Sequence, residues 1–330
     1  MNSRKNKPFM LKPAAKDYLW GGNRLNDDYN FHIPIHPFAE AWVCSTHPDG
    51  TSVISTGEWT GRNLDEVLRE HPEYLGTHAY AVGNGQLPIL IKLIDAKKDL
   101  SVQVHPDDEY ANRVEHSPGK SEMWYLLDAK KESTLVYGFN QDVTAEQVKT
   151  EITGGTVSRL LNHVPVSKDD VFFVEAGTVH AIGAGCLIAE IQENSNITYR
   201  LYDYDRTDRN GKKRELHIEK ALEVANLRSS TTPRQPMRVL RYVNGCASEM
   251  LARCKYFQAS RLLLNTEGRQ MPVYRTDSNS FHTLLCMDGC GVLYGGNELF
   301  PVYKGDCVFI PADSVELKLH GKAQFIDVSC

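Results

Sequence analysis

The chain has 330 residues, 41% apolar and 24% charged, the make-up of a soluble globular protein with length enough for two domains or one large body. Its 37 basic and 42 acidic residues leave a net charge of −5, which excludes a general basic surface for nucleic acid or anionic lipid. No apolar run approaches bilayer length, no signal-peptide core follows the charged N-terminus, and none of the eight cysteines forms a Cys-x-x-Cys pair, so a cytoplasmic protein with free thiols is expected.

Residues 11–60 mix short apolar segments with turns: Trp20-Gly21-Gly22, a short strand at Ala41–Cys44, and the strong turn His47-Pro48-Asp49-Gly50. A helix is expected from Arg62 to Leu75, with Asn63 as its cap and Leu64, Val67, Leu68 and Leu75 as its apolar stripe. Pro88–Ile94 reads as a strand with Lys92 set among apolar residues; such a lysine ordinarily carries its head to the edge, and a catalytic or anion-binding role is the alternative. In Leu100–His105 strand alternation puts Ser101, Gln103 and His105 on one face, and Pro106-Asp107-Asp108-Glu109 then reads as the first turn of a helix. An amide and an imidazole two residues apart on a strand can be half of a metal site or a plain hydrogen-bonded pair.

Met123–Leu127 and Ser133–Tyr137 read as paired strands across a charged turn. A helical insertion follows at about 141–165, with Thr144 as cap and Gly154-Gly155 as a break. Strands resume at Asp170–Val174, Thr178–Ile182, Cys186–Ile191 and Tyr199–Tyr204, with a turn at Glu175-Ala176-Gly177. The basic residues Arg206, Arg209, Lys212, Lys213 and Arg214 read as a solvated loop, followed by a helix over 214–227 and a linker at 228–238. Short strands and glycines dominate from 239 onward. The resulting division is a first domain over 1–238 and an all-β domain over 239–330.

The two parts are related. Residues 305–316 match 169–180, and 282–288 match 122–128, the spacing differing because the first copy carries the helical insertion. Two copies of one β-unit imply two jelly-roll β-barrels packed together, a mainly β fold with helical insertions. Where the first copy has Ser101–His105 the second has Tyr256-Phe257-Gln258-Ala259-Ser260 or neighbours, with no histidine, and Glu316 stands where the first has His180; His282 and Glu316 are left as a lone polar pair. Cys286 and Cys290 share a strand face by parity and read as apolar filler. Chemistry is therefore assigned to the first copy, whose candidates are Gln103, His105, Glu122 and His180. Two imidazoles, a carboxylate and an amide oxygen suit a divalent ion, zinc first, with manganese, cobalt or iron behind it.

The runs Leu-Ser-Val-Gln-Val-His-Pro-Asp-Asp from 100, Gly-Lys-Ser-Glu-Met-Trp-Tyr from 119, Val-Glu-Ala-Gly-Thr-Val-His-Ala-Ile-Gly-Ala-Gly from 174 and Asn-Ser-Asn-Ile-Thr-Tyr-Arg from 194 resemble type I mannose-6-phosphate isomerases, in particular the short bacterial form. The resemblance implies two cupin-type barrels, the second degenerate, and a zinc enzyme interconverting mannose 6-phosphate and fructose 6-phosphate through a cis-enediol. It assigns Gln103, His105, Glu122 and His180 to one Zn2+ per chain, and Arg200, Lys120 and Lys92 to the catalytic pocket. The partner implied is a phosphorylated hexose, with the chain a monomer or weak homodimer. Arginine suits a phosphate dianion, and a desolvated Lys92 with a lowered pKa could serve as base; the residue types do not decide which cation does which job. Two positions depart from the family pattern, Asn196 in place of an aspartate and Glu175 in place of a proline. Alternatives on the same scaffold are an iron dioxygenase, against which the missing His-x-His pair speaks, and a non-catalytic sugar-phosphate sensor.

Overall fold

Three runs with every or nearly every residue buried, Ile89–Asp95, Glu122–Ala129 and Cys186–Glu193, lie side by side at the centre of a six-stranded sheet in the computed structural model, which describes residues 6–29, 31–207, 210–230 and 238–330. Such runs arise because both faces of the sheet are covered. One face sends Ile89, Ile91, Leu93, Met123, Tyr125 and Ile191 into a core shared with the C-terminal strands. The other sends Ile94, Trp124, Leu126 and Ile188 against Leu135, Val164 and Ile182 of a five-stranded sheet. That facing sheet runs in the order Tyr199–Tyr202, Val102–Val104, His180–Ile182, Thr134–Phe139, Leu161–Pro165. The two sheets form the first jelly roll. The fold is mainly β with helical insertions, as the sequence implies.

The C-terminal strands form a ten-stranded sheet that also takes in Phe9–Lys12 and Val53–Ile54 from the N-terminal part. The internal repeat is visible in its register. His282 lies opposite Ile310 and Leu284 opposite Val308, as Glu122 lies opposite Val174 and Trp124 opposite Phe172.

Several expectations need correction. Met123–Leu127 and Ser133–Tyr137 do not pair: after Ala129 the chain crosses to the facing sheet, as jelly-roll connections do. The expected helix over Arg62–Leu75 is a helix at Leu64–Glu70 and a 3-10 turn at Pro72–Tyr74, because proline cannot continue the ladder. Cys286 is buried and Cys290 exposed, since a register shift between Cys286 and Asp288 breaks their parity. His282 does not pair with Glu316. Its Nδ1 lies 2.8 Å from Asp327 and 2.7 Å from the Tyr274 hydroxyl, while Glu316 binds Arg275. The insertion helix, Ala145–Thr153, has the expected cap: Thr144 and Gln147 form a reciprocal capping box. Arg209 and most of the expected linker lie outside the described residues. Among the described residues no helix is long and apolar enough to cross a membrane.

The His282–Asp327 pair gives a stability test. Burial disfavours the imidazolium, but the Asp327 carboxylate outweighs it and raises the His282 pKa above the ordinary histidine value. The pair's contribution is therefore complete below the unfolded value of about 6.5 and fades as pH rises through the raised folded value. In urea unfolding between pH 5 and 9 (about the range histidine spans), the native chain should lose its advantage over His282→Gln with rising pH; an advantage independent of pH would contradict the pairing.

Candidate metal centre and anion cavity

The two sheets of the first jelly roll bring the candidate ligands together. Val102–Val104 lies between His180–Ile182 and Tyr199–Tyr202, so Gln103 has His180 as its cross-strand neighbour on one side and Arg200 on the other. Glu122 comes from the facing sheet, where Gln192 is its cross-strand partner. The turn before His180 depends on Gly177, whose φ of +87° favours glycine and whose N–H donates to the His105 carbonyl at 2.8 Å. This bond ties the strand carrying one imidazole to the turn delivering the other.

His105, Glu122 and His180 are each 1% exposed or less, and one ligand atom from each lies within 4.8 Å of the others. His105 Nε2 is 3.6 Å from Glu122 Oε2, and His180 Nε2 is 3.4 Å from Oε1. His180 Nδ1–H donates to the Thr178 carbonyl at 2.8 Å, which fixes the tautomer and leaves the Nε2 lone pair aimed at Glu122. That Nε2 and both Glu122 oxygens accept no hydrogen bond. Buried acceptors without donors are costly unless a cation fills the space between them, so this trio fits a divalent ion. Burial lowers the pKa of both imidazoles, to about 4 for His180, so both are neutral and able to ligate. Gln103, half-buried on the same strand, lines the adjoining cavity.

That cavity, of about 290 Å3, is bordered by Lys92, Lys120, Glu190, Arg200 and Arg214. Lys120 Nζ lies 3.1 Å from His105 Nε2 and 3.2 Å from Glu122 Oε2. Lys92 does not reach the edge. It is 4% exposed and its Nζ is 3.0 Å from Glu190 Oε1, with Glu190 Oε2 accepting from the Trp124 indole at 2.9 Å. Burial would lower the Lys92 pKa, but Glu190 and Glu40 override it and hold the ammonium above its ordinary value. The expected lowered pKa is thus overturned, and with it Lys92 as a neutral base. Burial likewise would raise Glu190, but Lys92 and Lys120 hold it down and keep it ionised. Glu122 is pushed up, by burial and then by Glu190.

Arg200 donates from Nε to Ser101 Oγ at 3.2 Å and from Nη1 to the Glu215 carbonyl at 2.8 Å. Burial, then neighbouring Arg214, lowers its pKa. The reading of 206–214 as a solvated loop needs revising. Asp203, 5% exposed, binds both Arg206 and Arg214, and Arg214 borders the cavity; Lys212 and Lys213 are exposed, Lys213 pairing with Asp205. Asn196 also borders the cavity and donates to Asp49 at 2.8 Å. Glu190 was missed from sequence although it carries the signal that marked Lys92, a charge inside an apolar strand.

Residues 9–136 match the family model of the phosphomannose isomerase type I catalytic domain, and residues 248–330 match that of the mannose-6-phosphate isomerase cupin domain. The chain is 37% identical over 323 residues to the mannose-6-phosphate isomerase ManA of Bacillus subtilis, covering 97% of this chain and 98% of that one. The chain belongs to the type I phosphomannose isomerases. Among solved structures, a mannose 6-phosphate isomerase from Bacillus subtilis superposes with a TM-score of 0.89 at 32% identity, covering 98% of this chain and 99% of that one. A phosphomannose isomerase from Salmonella typhimurium, at 18% identity and a TM-score of 0.77 over 98% of this chain and 99% of that one, shares the fold.

In this isomerase scaffold the Lys92–Glu190 pair is a stability element as well as a wall of the cavity. Lys92→Met should cost about 3–5 kcal/mol in urea unfolding by leaving Glu190 buried and unpaired, and Lys92→Met/Glu190→Leu should recover most of that loss. Equal losses in the single and double variants would show that the charges are not coupled.

Proposed function

We propose that the chain interconverts mannose 6-phosphate and fructose 6-phosphate, with a single zinc ion held by Gln103, His105, Glu122 and His180. The observation that carries this reading is the buried cluster of His105, Glu122 and His180, in which His180 Nε2 and both Glu122 oxygens accept no hydrogen bond, beside a cavity bordered by arginines and lysines. Two imidazoles, a carboxylate and an amide oxygen suit a borderline divalent ion such as zinc, with manganese, cobalt and iron behind it. Eight free cysteines support a reducing, cytoplasmic setting, and the enzyme is read as a monomer or weak homodimer acting on a phosphorylated hexose.

When bound, the ion supplies positive charge beside the oxygen on which negative charge develops during enediol formation. The residues of the chain supply the rest. Arg200, oriented by Ser101 and by the Glu215 carbonyl, faces the phosphate dianion with Arg214 beside it, since a planar guanidinium can bind phosphate through two parallel donors. Lys120 holds its ammonium at the edge of the ligand trio, where it balances charge on the C1 and C2 oxygens. Glu190, kept ionised by Lys92, is the carboxylate that takes the proton from one carbon and returns it to its neighbour. Lys92 acts through Glu190 and does not itself accept the proton.

Protein incubated with fructose 6-phosphate should yield mannose 6-phosphate, lose the activity on chelation and regain it with added zinc; no product from metal-loaded protein would overturn the proposal. His105→Ala and His180→Ala should lose bound metal and activity together, whereas Arg200→Ala should keep its metal and raise KM for the phosphorylated sugar. Glu190→Gln should retain metal and lower kcat by about 10²–10⁴-fold, the range of a general base. A near-native Glu190→Gln rate would move the proton transfer to another group.

A further inference from the structure

Lys120 and Glu122 stand at the end of a segment that belongs to no helix or strand until Glu122 begins one. Its backbone is nevertheless fixed at three successive N–H groups. Gly119 donates to Asp108 Oδ1 at 3.0 Å, Lys120 to the Pro106 carbonyl at 3.0 Å, and Ser121 to Glu193 Oε1 at 2.7 Å. The Glu193 N–H returns to the Ser121 carbonyl at 3.1 Å. A Cβ at Gly119 would lie 2.5 Å from the Asp108 nitrogen, so only glycine allows this approach.

Asp108 has a second attachment. Its Oδ2 accepts from the Tyr256 hydroxyl at 2.6 Å and from Lys255 Nζ at 3.1 Å. Both residues sit in the turn between Cys246–Arg253 and Gln258–Asn265, in the C-terminal cupin unit. One carboxylate therefore joins that turn to the backbone of the segment bearing Lys120 and Glu122. Among the described residues the C-terminal unit holds no ligand trio of its own.

We propose that Asp108 and Tyr256 are positioning residues for Lys120 and Glu122, and that the C-terminal unit serves the first as a clamp on its catalytic segment. With both oxygens engaged, the Asp108 carboxylate cannot rotate away from Gly119. Losing the Tyr256 hydroxyl leaves Oδ2 held only by the exposed Lys255 ammonium, which loosens the Gly119 contact and lets Lys120 drift by a fraction of its contact distance. The inference rests on the isomerase reading for its kinetic arm only.

The test uses the full, metal-saturated chain as native protein, Tyr256→Phe, Asp108→Ala and the double variant. Tyr256→Phe should speed amide hydrogen exchange at Gly119–Ser121 and lower kcat about 10-fold, the scale of a slight misplacement of a reacting group. Its KM should stay within roughly twofold, because the phosphate-facing arginines are untouched. Asp108→Ala should do more, and the double variant no more than Asp108→Ala, since both substitutions break one connection. Unchanged exchange at Gly119–Ser121 in both single variants overturns the proposal, as does a double variant whose kcat loss is the full product of the single losses. A rate loss that follows melting temperature, with exchange rising everywhere equally, also overturns it. Native protein that isomerises no sugar phosphate overturns the functional reading instead, and the exchange arm still decides this one.

Discussion

The structure depends on holding ionisable groups in a dry interior. Lys92, Lys120, Glu122, Glu190, His105 and His180 are all less than 5% exposed and lie within a few residues' reach across two facing sheets. Unpaired, any one of these charges would be costly enough to change protonation or to distort the fold. They persist because each has a counterpart: ammonium against carboxylate at Lys92–Glu190 and Lys120–Glu122, and neutral imidazoles held so by burial. The carboxylate left elevated is Glu122, between the imidazoles, because burial and the neighbouring Glu190 disfavour its charge more than Lys120 and Lys92 favour it.

The second cupin unit keeps the register of the first without this inventory. Where Glu122 opens its strand, His282 opens the equivalent one, and it is satisfied by Asp327 and Tyr274. The polar position equivalent to Glu122 is here part of a closed hydrogen-bonded cluster. The same unit packs its apolar strands onto the outer face of the catalytic sheet, through Leu285, Phe309 and Ile326. It thereby covers the side of that sheet which would otherwise expose Ile91, Leu93 and Met123.

Much of this was legible in sequence. Alternation placed Gln103 and His105 on one strand, linked motifs supplied Glu122, His180 and Arg200, and the repeat anticipated the shared register. Not everything was. Pairing of Met123–Leu127 with Ser133–Tyr137 looked natural because hairpins are the commonest short connection, yet periodicity cannot say which sheet the next strand joins. The basic loop near Arg206 looked solvated because Asp203 has no local signal of burial. Lys92 looked like an edge residue because its partner, Glu190, is adjacent only across the sheet.

Pairing of Phe9–Lys12 with Cys307–Ile310 sets Phe9 opposite Phe309, nearly the full length of the chain away. A ribosome making this protein releases the first jelly roll long before the strand that its N-terminus must join exists. During that interval Phe9 has no partner strand, and Leu11 has only Ile54 of the two-residue strand Val53–Ile54. Pairings this distant in sequence are slow to form, because loop closure must precede any gain from contact. Assembly is therefore ordered in time: the catalytic unit can take shape during translation, while the seam that joins it to its companion is sewn last.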